Sequence, residues 1–320
     1  MTRPIFVKKR QAFALVKLGD PQISTVLSNP DIDGVAIQAG WLEMQQGQNS
    51  YTWTSLDSAL SIAKSKGKSV TLRPLEVFKG NAPLLVWLKS LGMKTTVAKN
   101  GIGVTSELAV PWDEVYISKY IEFINALSAH LKQAGYSDTL VRIQVTAPVN
   151  EMNIPNCRNN MIGGVYPYDR TKYLATWKRV IDAFNSAFPN TLKQISGTSG
   201  QICSPEKDSS FFSEVTTYAL NNYGKSFVPS ANDLTVSGSG RMSPNLEIAK
   251  QNVAYQMIWF ATNASNNRLG GTYPDNLLQS VCKGIEQEGD YFEIYAVDVL
   301  NSNSTIQNAI KAVHSDSLCK

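Results

Sequence analysis

The chain has 320 residues, 43% of them hydrophobic and 18% charged, so it is long enough to bury a large core. Its net charge is only +4, and its lysines and arginines are scattered apart from short runs at 8–10 and 64–68. Neither run has interleaved aromatic residues, which argues against nucleic-acid binding. No apolar run reaches the roughly 18 residues of a membrane-spanning helix, so we expect no contact with a membrane.

Strand-like apolar segments alternate with helix-like segments along the chain. The predicted strands cover residues 13–18, 34–40, 69–75, 140–148, 192–198, 227–233, 255–261 and 291–298. The predicted helices cover residues 21–27, 54–66, 82–91, 112–134, 168–188, 210–223, 245–253, 275–288 and 304–313. A polar stretch, 94–110, is predicted to connect two helices. Eight strands alternating with helices predict a (β/α)8 TIM barrel, with residues 1–320 forming a single domain. An open doubly wound sheet is the alternative, but its glycine-rich phosphate-binding turns are missing.

The fourth predicted strand, 140–148, ends close to a carboxylate. Its β-branched residues alternate with polar ones, a pattern that suits a strand near a barrel lumen or a site. Asn150 and Glu151 follow it after one residue, Val149. Barrel enzymes carry their chemistry just past the carboxyl ends of the strands, so Glu151 is a candidate catalytic residue. A loop residue without a catalytic role is the alternative.

The four cysteines are interpreted as two disulfides. No pair has the Cys-x-x-Cys spacing of a zinc site. Cys157 and Cys203 each follow a predicted strand and would lie on the same barrel face, whereas Cys282 is on a late helix and Cys319 is next to the last residue. Two such pairs favour an extracellular or other oxidising compartment, with four unpaired buried thiols as the alternative.

The residue inventory favours chemistry by carboxylates. The two histidines, His130 and His314, both fall on predicted helices, which argues against a Ser-His-Asp or Cys-His system and against histidine metal sites. Carboxylates are predicted near strand ends at Glu43, Glu76, Glu151, Asp233, Glu293 and Asp298. Glycoside hydrolysis needs two carboxylates and requires neither a metal nor another cofactor, so we expect no cofactor.

One segment of about forty residues, 34–74, carries a family pattern. A strand ends in tryptophan, a glutamate and a glycine turn follow, an aromatic pair precedes Leu-Asp, and the helix ends at Gly-Lys. The matching positions are Trp41, Glu43, Gly47, Tyr51, Trp53, Leu56, Asp57, Gly67 and Lys68. This pattern resembles the second and third β/α units of clan A retaining glycoside hydrolases, above all the β-galactosidase-like and cellulase-like branches. The resemblance implies that Asn150 contacts the sugar and that Glu151 is the acid/base.

The chain departs from that pattern at the seventh strand. Clan A places its nucleophile glutamate there, but the predicted strand 255–261 carries only Gln256. Glu293 on the eighth strand is the best substitute as nucleophile or base. The predicted sugar-binding residues are Asn150, Trp41, Arg73, Gln256, Trp259 and Tyr295.

We therefore expect a monomeric barrel that hydrolyses a β-linked oligo- or polysaccharide. A barrel that binds carbohydrate without cleaving it is the first alternative, and a structural barrel without a ligand is the second.

Overall fold

The structure is a computed structural model that describes residues 10–75, 83–99, 105–146, 166, 169–196, 209–240, 253–262 and 267–319. Eight of its strands form the principal sheet: β1 (Gln11–Lys17), β2 (Gly34–Gly40), β3 (Ser69–Leu75), β4 (Leu140–Val145), β5 (Leu192–Ser196), β6 (Phe227–Leu234), β7 (Val253–Met257) and β8 (Gly289–Tyr295). They close into a barrel in the order β1-β8-β7-β6-β5-β4-β3-β2. The pairs β1/β8, β7/β8, β6/β7, β3/β4 and β4/β5 are parallel. The predicted (β/α)8 barrel is confirmed.

Helices lie between the strands and after the last one. The longer ones are Thr54–Ser65, Pro83–Ser90, Glu114–Gln133, Arg170–Ala187, Ser209–Tyr223, Asp275–Glu286 and Ser304–Ala312. Single turns are found at Ile23–Val26, Trp41–Met44 and Ala296–Val299, with 3-10 turns at Gly224–Ser226 and Asp316–Cys319. No helix in the described part of the chain combines the length and the apolarity that crossing a bilayer requires.

The sequence of the helix Thr54–Ser65 explains which face of the helix is buried and where the helix ends. Leu56, Ala59, Leu60 and Ala63 are buried and recur at helical spacing, so one face packs inward. Gly67 then adopts φ +64°, a left-handed conformation that glycine tolerates without a Cβ clash, and the helix ends just before it.

Two compact units make up the chain. One combines residues 1–16, 21–36 and 229–320, and its core includes the rings of Phe13 and Tyr291, whose centroids lie 4.8 Å apart. The other combines residues 17–20 and 37–228, and its core includes Trp41 packed on the helix Glu114–Gln133. Each unit therefore has a buried aromatic centre of its own.

Two antiparallel hairpins were not predicted. One pairs Gln45–Gly47 with Ser50–Tyr51, and the other pairs Thr95–Lys99 with Thr105–Ala109. The second replaces the polar connection predicted at 94–110. Its threonines and valine favour extended backbone, although the segment lacks the apolar content of a core strand.

The bounds of the seventh and eighth strands also differ from the prediction. β7 begins two residues earlier than predicted and ends at Met257, so Trp259 lies beyond the strand. Val253 is its first residue rather than the end of a helix; residues 241–252 lie outside the described residues. β8 ends at Tyr295, and the helical turn Ala296–Val299 follows, so Asp298 is helical rather than at a strand end.

The predicted disulfide between Cys282 and Cys319 is confirmed. The sulfur atoms are 2.04 Å apart and the Cα atoms 5.3 Å apart, across a sequence separation of 37. The bond joins the helix Asp275–Glu286 to the turn Asp316–Cys319. Cys157 and Cys203 lie outside the described residues.

Candidate functional site

Glu293 and Gln256 lie side by side on neighbouring strands. Their Cα positions are paired in the parallel register of β7 and β8, and their side chains are only 3% and 1% exposed. Phe292 faces the helix Asp275–Glu286, because its ring fills the space that a Cβ on Gly284 would need. Since side chains alternate along a strand, Glu293 faces the opposite side of the sheet from that helix.

A phenol orients the carboxylate of Glu293. The hydroxyl of Tyr291 donates to Oε1 of Glu293 at 3.0 Å, and the two residues share one face of β8 because they are two positions apart. A buried carboxylate needs such donors, since burial without them costs several kcal/mol. The predicted catalytic residue is therefore a buried acid with a fixed orientation.

The resemblance to clan A predicts a glutamate on the seventh strand, where this chain has Gln256. Its side-chain Nε2 donates to the carbonyl oxygen of Met257 at 3.3 Å. The sequence from 253 to 274 contains no aspartate or glutamate, so neither β7 nor the segment after it can supply a carboxylate. β7 thus carries an amide and no carboxylate.

An aromatic cluster, defined here as Trp259, Phe260 and Tyr295, lies just past the end of β7 and at the last residue of β8. The ring centroids are separated by 5.2 Å (Trp259–Phe260), 6.1 Å (Trp259–Tyr295) and 5.8 Å (Phe260–Tyr295). All three side chains are partly exposed. The guanidinium of Arg268 lies 5.3 Å from the ring of Trp259, a cation–π contact. Aromatic faces and a nearby cation provide stacking and hydrogen-bonding groups of the kind that a sugar uses.

Asp298 holds the segment that carries this cluster. Its side chain is fully buried, and its two carboxylate oxygens accept the backbone N–H of Ala261 at 3.1 and 2.9 Å. Burial raises the pKa of Asp298 to about 6, although the N–H groups of Ala261 and Thr262 act in the opposite direction. The sequence predicts Asp298 only as a carboxylate near a strand end. Its position in an apolar run was the signal of a buried role.

Trp41 and Arg73 lie in the other compact unit. The Trp41 ring is 0% exposed and packs against Tyr120 and Phe123, with centroids 5.1 and 5.7 Å away. Its indole N–H donates to Oε1 of Gln45 at 2.7 Å. These are the contacts of a core side chain, and a sugar cannot reach the ring without displacing them. Arg73, on β3, is 1% exposed.

A pair of buried amides on neighbouring strands was not predicted from the sequence. Gln144 on β4 and Gln194 on β5 are paired in register and are 3% and 2% exposed. Nε2 of Gln194 has no hydrogen-bond partner within the described ranges. The alternation of polar and apolar residues in β4 contained the signal, but the partner on β5 follows only from the strand register.

Asn150 and Glu151 lie outside the described residues. The acid/base role of Glu151 and the sugar contact of Asn150 therefore remain predictions from sequence. Among the residues that are described, no group of three or more histidine, cysteine, aspartate or glutamate side chains is arranged to hold a metal ion.

Comparison with known proteins gives no family. The chain matches no protein-family model, and no curated protein matches it at a significant level. The resemblance to clan A hydrolases therefore rests on the sequence pattern at 34–74 and at Asn150-Glu151.

Proposed function

We propose that this barrel hydrolyses a glycosidic bond in a β-linked oligo- or polysaccharide. The observation that carries the proposal is Glu293, a buried carboxylate held by Tyr291 and two residues before Tyr295 of the aromatic cluster. Glu293 serves as nucleophile or base, and Glu151 serves as general acid. Asn150 and Arg73 contribute polar contacts to the sugar.

The aromatic cluster supports a carbohydrate ligand. A sugar ring presents apolar C–H groups on its faces, and these pack on aromatic rings while its hydroxyls bond to polar neighbours. Trp259 and Tyr295 are partly exposed at the end of the strands that carry Gln256 and Glu293. The proposed sugar-binding residues are therefore on or just past the strands that carry Gln256 and the proposed nucleophile or base, Glu293.

The stereochemical outcome depends on the separation of the two carboxyl groups. A gap of about 5–5.5 Å allows one carboxylate to attack the anomeric carbon and gives retention, whereas about 6.5–9.5 Å leaves room for a water and gives inversion.

The confirmed disulfide supports a proposed oxidising, extracellular compartment, and we propose that the chain acts there as a monomer.

Release of reducing sugar from a panel of β-linked glycans tests the proposal. We expect turnover by the parent and a loss of roughly 10²–10⁴-fold in kcat for Glu293→Gln and for Glu151→Gln. Glu286→Gln is the matched control, because Glu286 is exposed and contacts only Lys283 among its charged neighbours in the described chain. Full activity in Glu293→Gln would remove this residue from the mechanism.

A barrel that binds carbohydrate without cleaving it is the second candidate. The amide of Gln256 and the absence of a carboxylate between 253 and 274 favour this binding function. Hydrolysis by two carboxylates then depends on Glu293 alone as the partner of Glu151. The two candidates differ in one measurement. Saturable oligosaccharide binding without turnover by the parent, weakened in Trp259→Ala, would establish the binding function.

The variant Gln256→Glu distinguishes the hydrolase from the barrel that only binds carbohydrate. It places a carboxylate on β7 beside Glu293, where two like charges in a buried setting disfavour joint ionisation. A binding-only barrel that lost its nucleophile would gain turnover in this variant. A barrel that already uses Glu293 would lose activity instead, because one of the two acids would be protonated.

A further inference from the structure

Beyond the carbohydrate site, the sequence contains an acceptor pattern for N-linked glycosylation. Asn303-Ser304-Thr305 has the form Asn-x-Thr, and its middle residue is not proline. The pattern lies between the helical turn Ala296–Val299 and the helix Ser304–Ala312. A sequence pattern of three residues is common, so its placement in the fold decides whether an enzyme can use it.

The three residues are accessible. Ser304 is exposed, and Asn303 and Thr305 are partly exposed. Asn301 and Ser302, directly before the acceptor, line an open groove of about 440 Å³. A glycan on Asn303 therefore has open space beside it and displaces no core residue.

The helix cap uses the side-chain oxygen of Asn303 and does not use the side-chain nitrogen, the atom to which a glycan is attached. Asn303 is the N-cap of the helix, and its Oδ1 accepts the backbone N–H groups of Thr305 at 2.9 Å and Ile306 at 3.4 Å. The carboxamide is planar, so Nδ2 lies on the side away from these N–H groups. No hydrogen bond of Nδ2 occurs with any residue that the structure describes. Modification at Nδ2 keeps the cap intact, because Oδ1 remains an acceptor.

The disulfide gives an independent indication of the compartment. Cys282–Cys319 lies in the same compact unit as Asn303, and such bonds form and persist in the secretory pathway and outside the cell. N-linked glycans are added in the same pathway. One route through the cell therefore supplies both modifications.

We propose that Asn303 is a site of N-linked glycosylation. The co-reactant is an oligosaccharide carried on a polyisoprenyl diphosphate. A bond forms between Nδ2 of Asn303 and the anomeric carbon of the first sugar, and the bond between that carbon and the diphosphate oxygen breaks. The lipid diphosphate leaves, and one amide proton of Nδ2 is released. No oxidant or reductant takes part.

Peptide mapping of the full chain, secreted from a eukaryotic host behind an added secretion signal, tests the site. A glycosidase that converts a glycosylated asparagine to aspartate marks each occupied position. We expect a glycan on Asn303 in the parent and in Thr305→Ser, and its loss in Asn303→Asp and Thr305→Ala. Asn303→Asp keeps a capping oxygen, so its melting temperature should match that of disulfide-bonded parent protein produced in a host that adds no N-linked glycan.

An unmodified Asn303 peptide in secreted, disulfide-bonded parent protein would overturn the proposal. Cell extracts are mapped in the same way, so that a retained chain is scored as well. A second acceptor pattern, Asn263-Ala264-Ser265, lies outside the described residues, and mapping separates it from Asn303. Neither outcome depends on the proposed hydrolase activity, since no glycan substrate enters the assay.

Discussion

Replacing Asp298 by asparagine should change how stability varies with pH. Asp298 is fully buried, and burial raises its pKa from 3.8 to about 6. Between pH 4 and pH 6 the unfolded chain has released this proton while the folded chain still holds it. The free energy of unfolding therefore falls as pH rises through this window, and the loss remains at higher pH.

The size of the effect follows from the two pKa values. The difference between 3.8 and about 6 corresponds to about 3 kcal/mol at 1.36 kcal/mol for each tenfold change in proton affinity. Asparagine is uncharged throughout and resembles the protonated acid in shape. Relative to the parent, Asp298→Asn should thus become more stable by about 3 kcal/mol between pH 4 and pH 8. Any lost hydrogen bond to Ala261 adds an offset that does not vary with pH.

Urea unfolding at pH 4, 5, 6, 7 and 8, with the disulfide kept oxidised, measures this difference. All other titrating groups are common to the two proteins and cancel in the comparison. Asp138→Asn, which removes an exposed carboxylate, controls for the loss of one negative charge. A parent-to-variant difference that stays constant from pH 4 to pH 8 would show that Asp298 does not titrate as its burial implies.

Three further variants test what stabilises the fold: the disulfide, the packing around Gly284 and a helix cap. Replacing Cys282 and Cys319 by serine should lower the free energy of unfolding by about 2–4 kcal/mol, because the bond closes a loop with a sequence separation of 37; equal stability of the parent with and without reductant would contradict this. Gly284→Ala should destabilise by about 1–3 kcal/mol in thermal or urea unfolding, since its Cβ would lie 2.6 Å from Phe292 and 2.8 Å from Leu234. Gly47→Ala, whose Cβ would meet nothing within 4 Å, is its control, and similar losses in both would refute the packing argument. Asp113→Ala removes the N-cap that accepts the Tyr116 N–H at 3.0 Å and should cost about 1 kcal/mol, with urea midpoints as the measurement and Asp113→Asn as the conservative comparison.

The architecture was predictable because its signals are local. The strands at 34–40 and 69–75 were predicted with the bounds that the structure has, since β-branched residues end abruptly at turns and helix starts. β7 was placed too late because Ile258, Trp259 and Phe260 continue its apolar run. The rings of Trp259 and Phe260 belong to the aromatic cluster instead, and hydrophobicity alone does not separate these two uses.

The site was predictable only in part because it depends on register and packing. The pairing of Gln256 with Glu293 follows from how β7 and β8 align, which no local pattern specifies. Arg268, eleven residues beyond Met257, was missed because it contacts the ring of Trp259, nine residues away in the sequence, and no local pattern specifies such a contact. The burial of Trp41 was equally hidden, since the rings that cover it belong to the distant helix Glu114–Gln133.

The Cys282–Cys319 bond limits how the C-terminal part of the chain can unfold locally. The loop that it closes contains β8 and the helix Ser304–Ala312, so both are tethered at each end. That helix cannot peel away as a free tail, and its backbone amides should exchange with solvent only in openings that leave both tethers in place. A single proteolytic cut between the two cysteines would release no fragment until the bond is reduced.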